Sequence, residues 1–411
     1  MLHKQPRSES SSEARAINDG RSIRIVQIHP DNRPPALSVE IWRNPTDLQS
    51  LEQAWNALAE RVAPDNVFLR HEWFIATWEW LRHETELRLL GFRQDDRLVG
   101  IIPLVCRKTR CRRLLSFMAV PDTQSCALIV LDDALPQVAL ALVGALRTQL
   151  TDWDELQFSH LDVTSPAAQA LRDTFAYHGF RTEERAQGQN PCVHLDGGWQ
   201  GYYSRRSRRL KKGNNLIANI LSRQTQRVEL HQLGADHPLD DRAIEALLDT
   251  AMRLSANSWK RTTGLTLDQS GPQAFIRKLT TVANRQGWLS VWLLSIDNQA
   301  VAMEYQLRYR GQVHALRADY HTDFAELSPG SYLNWKMLEQ LFAHDDRCYW
   351  MGPGNNAYKQ RWAEGGQALF SFVAFNSTLC GRWLAFRGSI LRPLYHRLRA
   401  WLSATKLETP A

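Results

Sequence analysis

The chain has 411 residues, 44% of them hydrophobic and 23% charged, with 50 basic against 43 acidic residues and a formal net charge of +7. That length exceeds one ordinary core and suits two domains plus tails. No apolar run long enough to span a membrane occurs, and the polar opening MLHKQPRSESSSEARAINDGR lacks the apolar stretch of a secretory signal, so a cytoplasmic location is expected.

Residues 1–36 are polar, rich in Ser and Arg, and end at Pro34-Pro35, which predicts a disordered tail. A first domain, 37–196, opens with a strand at Ser38 to Arg43. Leu48, Leu51, Trp55 and Leu58 then recur at helical spacing, and a second helix is predicted from Glu72 to Leu81. LRLLGFR and RLVGIIPLV, either side of Gln94-Asp95-Asp96, read as a β-hairpin over Leu87 to Arg107. A strand at Cys126 to Leu131, a helix at Leu135 to Leu150 and a strand in WDELQFSHLDV follow. The next helix, Ser165 to His178, has Ser165 as N-cap and Pro166 at its first position.

Gly197-Gly198 marks the expected boundary of a second domain, 197–378. A basic helical stretch begins near Tyr202, and amphipathic helices are predicted at Asp240 to Ser255 and Gln273 to Arg285. WLSVWLLSI, a turn at Asp297-Asn298-Gln299, and AVAMEYQLRYR form a second hairpin, with GQVHALRADY as a third strand. The two hairpins and their flanking elements predict an internal duplication. The fold class that follows is α/β, layered in the α+β manner, with a mixed sheet flanked by helices in each half. Residues 379–411 carry Leu391, Leu394, Tyr395, Leu398 and Trp401-Leu402 at helical spacing among Arg392, Arg397, Arg399 and Lys406. This basic amphipathic tail suits either an anionic membrane surface or packing against the second domain.

Six cysteines, Cys106, Cys111, Cys126, Cys192, Cys348 and Cys380, show no CxxC spacing. They read as small core residues in a reducing compartment, and no metal is expected.

Two stretches carry chemistry. Ser328-Pro329-Gly330-Ser331-Tyr332 starts a helix after a strand and a polar loop. Its first-turn N–H groups are unsatisfied donors suited to an anion, although many helices begin this way. In WMGPGNNAYKQRWAEG, Gly352-Pro353-Gly354 follows a strand and Tyr358-Lys359 could serve an oxyanion or leaving group, or form an ordinary turn and basic helix. The run Arg205-Arg206-Ser207-Arg208-Arg209-Leu210-Lys211-Lys212 is either a solvated face or a clamp for an anionic ligand, and is too short to argue for DNA.

NVFLRHEWF with Trp78, RRSRRLKK, SANSWKRTTG, IDNQAVAMEYQLRYRG, the SPG of LSPGSYL, and GPGNNAYKQRWAEG together resemble the GNAT acetyltransferase domain of CelD-like and biotin-synthase-like acetyltransferases. These are similar to the Fem aminoacyltransferases, which have tandem GNAT domains. The resemblance covers roughly 40–375 and is strongest over 200–365.

It implies tandem GNAT-like domains, with an acyltransferase site in the second. The donor is acetyl-CoA or another acyl-CoA as co-substrate, with no permanently bound cofactor, held beside the helix starting at Ser328 by residues 328–332. Glu304 stands where many GNAT enzymes place a general base, on a strand face shared with Ala302, Gln306 and Arg308; Asp319 is a second candidate. Lys359 resembles the Lys that holds the reacting carbonyl in Fem-like enzymes, with Tyr358 beside it. Trp259 and Lys260 match the loop near the acceptor, with Arg208 as a further acceptor contact. The acceptor is a small-molecule or glycan amine or hydroxyl, in exopolysaccharide, cellulose or envelope synthesis.

FAELSPGS departs from the usual pyrophosphate loop, Q/R-x-x-G-x-G/A, so a Fem-like transferase using aminoacyl-tRNA remains an alternative. A degenerate scaffold peripheral to the inner face of the membrane is another.

Overall fold

The computed structural model describes residues 37–224, 227–234, 237–354 and 356–388, together with the backbone of 15–18 and 23–26. Statements about the fold refer to these residues. Two short strands, β1 (Arg15–Asn18) and β2 (Ile23–Val26), lie within the expected tail and pair onto β3 (Leu37–Trp42). The predicted first helix is divided at Leu51 into α1 (Pro45–Ser50) and α2 (Glu52–Val62), and α3 (His71–Leu81) follows. A meander of β4 (Glu86–Gln94), β5 (Arg97–Thr109) and β6 (Arg112–Phe117) comes next. Of the expected strand at 126–131 only β7 (Ile129–Val130) pairs, against β5. Then come α4 (Leu135–Thr148), β8 (Glu155–Asp162), α5 (Pro166–Tyr177) and β9 (Arg181–His194). The Ser165 side chain accepts from Ala168 N at 3.2 Å, the N-cap expected of it.

Helices α6 (Trp199–Ser204) and α7 (Arg208–Gln224) lead into the second series. It comprises β10 (Val228–Gly234), α8 (Asp241–Ala256), α9 (Ser270–Arg285), the meander β11 (Leu289–Ile296), β12 (Gln299–Tyr309) and β13 (Gln312–Tyr320), then α10 (Pro329–Leu341), β14 (Cys348–Trp350), α11 (Ala357–Trp362) and β15 (Gly365–Phe375). A last described helix, α12 (Leu379–Phe386), begins the basic tail; Leu391 to Lys406 lie outside the described residues.

The hairpin loops are two residues long rather than three. Asp95-Asp96 (φ 47° and 62°), Asp297-Asn298 (47° and 67°) and Arg310-Gly311 (49° and 77°) each place two consecutive residues at positive φ. That is the backbone of a turn matching the twist of its strands, and Asp, Asn and Gly tolerate it best.

The duplication is visible element by element. Each series runs strand, helices, three-stranded antiparallel meander, crossover helix, parallel strand, helix, final strand. All the strands form one mixed sheet in the order β1-β2-β3-β4-β5-β6-β8-β15-β9-β14-β13-β12-β11-β10, with β7 beside β5. In that order β15, the last strand of the second series, pairs with β8 of the first, while β9, the last strand of the first, pairs with β14 of the second. The two exchanged strands also pair with each other from Gly365↔Cys192 to Phe375↔Arg181. The expected boundary at 196/197 divides the chain in sequence but not the sheet, because each half takes its closing strand from the other.

Apolar packing joins the halves as well. Trp73 and Trp80 of α3 lie 5.5 Å and 5.8 Å from Phe275 of α9, ring centre to ring centre. Gly271 at the start of α9 permits this, since a Cβ there would come within 2.7 Å of the Trp80 indole.

Candidate active site

The two halves differ where a GNAT domain would work. In the first series β5 is apolar and buried from Leu98 to Cys106, and Asp132 and Asp133 precede α4. In the second series the equivalent strand, β12, carries Glu304. Acids precede both crossover helices, Asp323 and Glu326 before α10, and neither helix has one in its first turn, so the acid on the central strand is what sets the second series apart.

β14 pairs with β13 only over Gln312 to His314, after which the two strands separate. A bulge in β13, where Tyr305 faces Arg317 and Gln306 faces Ala315, turns the strand at the same level. Beside this region opens a cavity of about 500 Å³ between β12, β13, α7, α11 and the start of α10. Glu304 sits in its wall, only 4% exposed. Its Oε1 accepts hydrogen bonds from the Tyr349 hydroxyl at 2.6 Å and from Gln306 Nε2 at 2.7 Å. Gln306 is fixed in turn, its Oε1 accepting from Trp292 Nε1 at 3.1 Å. Burial raises the Glu304 pKa above the ordinary carboxylate range, against the opposing effect of Tyr349 and Gln306. A buried acid of raised pKa, oriented by two donors and opening on a cavity, has the properties of a general base.

The donor-side expectation comes together at α10. Ser328, Pro329, Gly330 and Ser331 line the cavity. Ser328 adopts a left-handed backbone (φ 51°, ψ 48°) that ends the preceding turn and aims the helix start. Tyr332 packs with its neighbours on the same helix, its ring 6.1 Å from Trp335, and is not among the lining residues. Asn334, 7% exposed, also faces the cavity, and its buried Nδ2 has no hydrogen-bond partner. An unpaired buried amide costs about 1–3 kcal/mol, which a ligand acceptor would recover.

The other predicted residues divide. Tyr358 lines the cavity, its hydroxyl pushed above the ordinary phenol pKa by burial and by Glu304. Lys359 is buried, and its Nζ donates to Gly352 O at 2.8 Å and Pro353 O at 3.1 Å. Burial lowers its pKa to about 8. With two of its three protons so engaged, the Lys359 ammonium holds the Gly352-Pro353-Gly354 loop. Asp319 lies between Lys260, Nζ to Oδ1 2.9 Å, and Arg317, Nε to Oδ2 3.9 Å, and so forms a buried ion pair beside the cavity. Trp259 is 52% exposed at the cavity mouth, 5.7 Å from the Lys260 ammonium.

The basic run is split. Arg205 and Arg206 pair with Glu364 at 3.0 Å and 2.8 Å, and Arg206 also covers the Tyr202 ring. Arg209 lines the cavity, whereas the exposed Arg208 does not. Arg209 belongs to the basic run that the sequence already offers as a clamp for an anion. Residues missed in the sequence are Tyr349, Asn334 and Arg361, which no local pattern marks, since each is defined by what the splayed strands and their helices place around the cavity.

The first half also contributes. Gln124, in the loop after β6, donates to Ala315 O at 2.6 Å and meets His314 Nδ1 at 3.0 Å, filling the sheet edge that β14 leaves. Asp122 of the same loop pairs with Arg317 Nη1 at 3.0 Å.

A meander and a crossover helix starting beside splayed parallel strands define a fold of the GNAT type. Residues 221–360 match the family model of the acetyltransferase (GNAT) domain. No curated protein matches the chain by sequence.

Among solved structures the chain is similar to FemX, at 10% identity and a TM-score of 0.55, over 81% of this chain and 98% of that one. It is also similar to the C-terminal domain of a putative lysylphosphatidylglycerol synthetase from Agrobacterium fabrum, at 10% identity and a TM-score of 0.50, over 82% and 95%. A third likeness is to L-PGS from Bacillus licheniformis, at 12% identity and a TM-score of 0.50, over 86% and 97%. These likenesses are of fold. Among the described residues no helix is long and apolar enough to cross a membrane.

Proposed function

We propose that this protein transfers an acyl group from an acyl-CoA donor to an amine or hydroxyl acceptor, with Glu304 as general base. The observation that carries the reading is the buried Glu304, held by Tyr349 and Gln306 in the wall of the cavity where α10 begins.

The donor's anionic part lies against the N–H groups at Gly330 and Ser331, with Arg209 and Arg361 in the same wall. Asn334 Nδ2 supplies a further donor inside. The acceptor enters past Trp259. Glu304 takes a proton from the acceptor, whose freed lone pair attacks the acyl carbonyl carbon. The carbonyl bonding pair moves onto oxygen, and collapse of that tetrahedral species expels the thiolate, which picks up a proton. A carboxylate whose pKa is raised by burial is a stronger base than an ordinary one, which suits this task. A glycan or cell-envelope acceptor belongs to this proposal on family likeness alone.

Calorimetry with the full chain tests it. Acetyl-CoA or a longer acyl-CoA should bind at one site, and acceptor-dependent release of free thiol should follow. No binding of any acyl-CoA, together with binding of aminoacyl-tRNA, would overturn the CoA reading in favour of an aminoacyl donor.

A further inference from the structure

The strand exchange creates a cluster that the cysteine spacing conceals. β9 and β14 run antiparallel with Cys348 opposite His194 and Trp350 opposite Cys192. Cys192 and His194, two residues apart on one strand, share a face, and Cys348 joins them from the neighbour. The two sulfurs and one imidazole nitrogen all lie within 4.8 Å of one another, with Cys192 Sγ 3.9 Å from His194 Nε2. On the other side of β9, Gly365 of β15 stands opposite Cys192. Its missing side chain leaves room beside the pair, because a Cβ there would lie 3.4 Å from Cys192 Sγ and 3.5 Å from His194 Nε2.

The geometry points to a binding site for one thiophilic divalent ion of the zinc class, held by Cys192, His194 and Cys348. Around such an ion, with metal–sulfur bonds of about 2.3 Å and metal–nitrogen bonds of about 2.0 Å, tetrahedral ligand atoms stand roughly 3.5–3.8 Å apart. The cluster needs only a small contraction to reach that spacing.

A disulfide fits less well. Cys192 and Cys348 are diagonal rather than facing partners, and diagonal positions in a ladder have Cα atoms about 7–8 Å apart, beyond the usual disulfide range of about 4.4–6.8 Å. Two thiolates would neutralise a divalent ion, and their two protons would leave on binding. Both sulfurs are buried while His194 is exposed, so the fourth position opens to solvent.

The location gives the ion a structural task. It would fasten β9 to β14 at the point where β9 leaves β15, which is the seam of the exchange between the halves. Glu364, whose backbone N donates to Cys192 O at 2.9 Å, anchors Arg205 and Arg206 from the same place. An ion here therefore also steadies the start of α7 and one wall of the cavity.

The test uses untagged full-length protein, stripped with a chelator and titrated with Co²⁺ and then Zn²⁺. Co²⁺ should develop a sulfur-to-metal charge-transfer band and strong tetrahedral d–d bands that saturate at one equivalent and are displaced by Zn²⁺. Both sets should vanish in Cys192→Ser and Cys348→Ser and persist in Cys111→Ser. No bands at one equivalent, or bands that survive in Cys192→Ser/Cys348→Ser, would overturn the proposal. A second measurement needs no variant: Zn²⁺ should slow alkylation of Cys192 and Cys348, but not of Cys111, by at least tenfold in peptide mapping. Equal rates with and without Zn²⁺ would also overturn it.

Discussion

Tyr349 of β14 donates its hydroxyl proton to Glu304 of β12 at 2.6 Å, reaching across the intervening β13. The contact ties the acid to the strand whose separation from β13 opens the site. A donor to a carboxylate favours its ionised form and is worth about 1.5–3 kcal/mol. In Tyr349→Phe the Glu304 pKa should therefore rise further. The acid limb of the kcat/KM profile should move up by about one unit, and the neutral-pH rate should fall roughly tenfold. An unmoved limb would mean that Glu304 is not the titrating base.

Glu304→Gln should lose about 10²–10⁴ of the rate while keeping its fold. The stability readout has the opposite sign. Because the folded-state pKa of Glu304 is raised, its contribution is full below the unfolded value and is lost as pH rises through the folded value. The Gln variant escapes that loss, so its melting temperature at neutral pH should equal or exceed that of the wild type. A marked drop would show that the carboxylate is a structural ion-pair partner.

At the first turn of α10, Ser331→Asp separates helix stability from donor binding. An acid there suits the helix dipole by about 0.3–1 kcal/mol and should leave the melting temperature unchanged or higher. The same charge should repel an anionic donor and raise its KM by roughly tenfold or more, with kcat changing less. An unchanged donor KM would place the anionic group elsewhere.

Lys359 makes stability depend on alkaline pH. Its folded pKa of about 8 lies below the ordinary 10.5, so the unfolded chain binds more protons between those values. Stability should rise with pH through that window, by on the order of 3 kcal/mol for a shift of that size. Lys359→Met should lack this slope, although loss of the bonds to Gly352 and Pro353 lowers its baseline. Urea midpoints at pH 7.5 and 10 for both proteins check it.

The loop of the first half should matter to the second. Arg317 is 3% exposed and relies on Asp122 as well as the more distant Asp319. Asp122→Ala should cost about 3 kcal/mol by leaving a buried cation poorly compensated. A change below about 0.5 kcal/mol would mean that Asp319 alone suffices.

Much of the fold was legible where one residue pattern faces one environment. The hairpins at 87–107 and 288–310 alternate apolar strands with Asp and Asn turns, and α8 announces itself through Asp240 and its amphipathic repeat. β9 was missed because RTEERAQGQN is polar and its flanks are half exposed; it is a strand because β15 and β14 pair with its two parts. β15, polar at its start and apolar from Leu369 to Phe375 except for Ser371, is positioned by the same exchange.

Glu304 on its strand and Ser-Pro-Gly-Ser at a helix start could be read from the sequence, because both placements depend on neighbours close in sequence. The partners of Asp319 and Lys359, the Lys260 ammonium and the carbonyls of Gly352 and Pro353, could not be read there.

By itself the amino-acid pattern determined two similar α/β halves, their hairpins and the acid and helix start of the second, since periodicity, caps and turns are short-range properties. Only the tertiary structure decided that the halves trade closing strands, that Tyr349 and Gln306 hold Glu304, and that Cys192, His194 and Cys348 meet. Those relationships join residues far apart in the chain through sheet register, and register is chosen by the packing of the whole sheet rather than by any one segment.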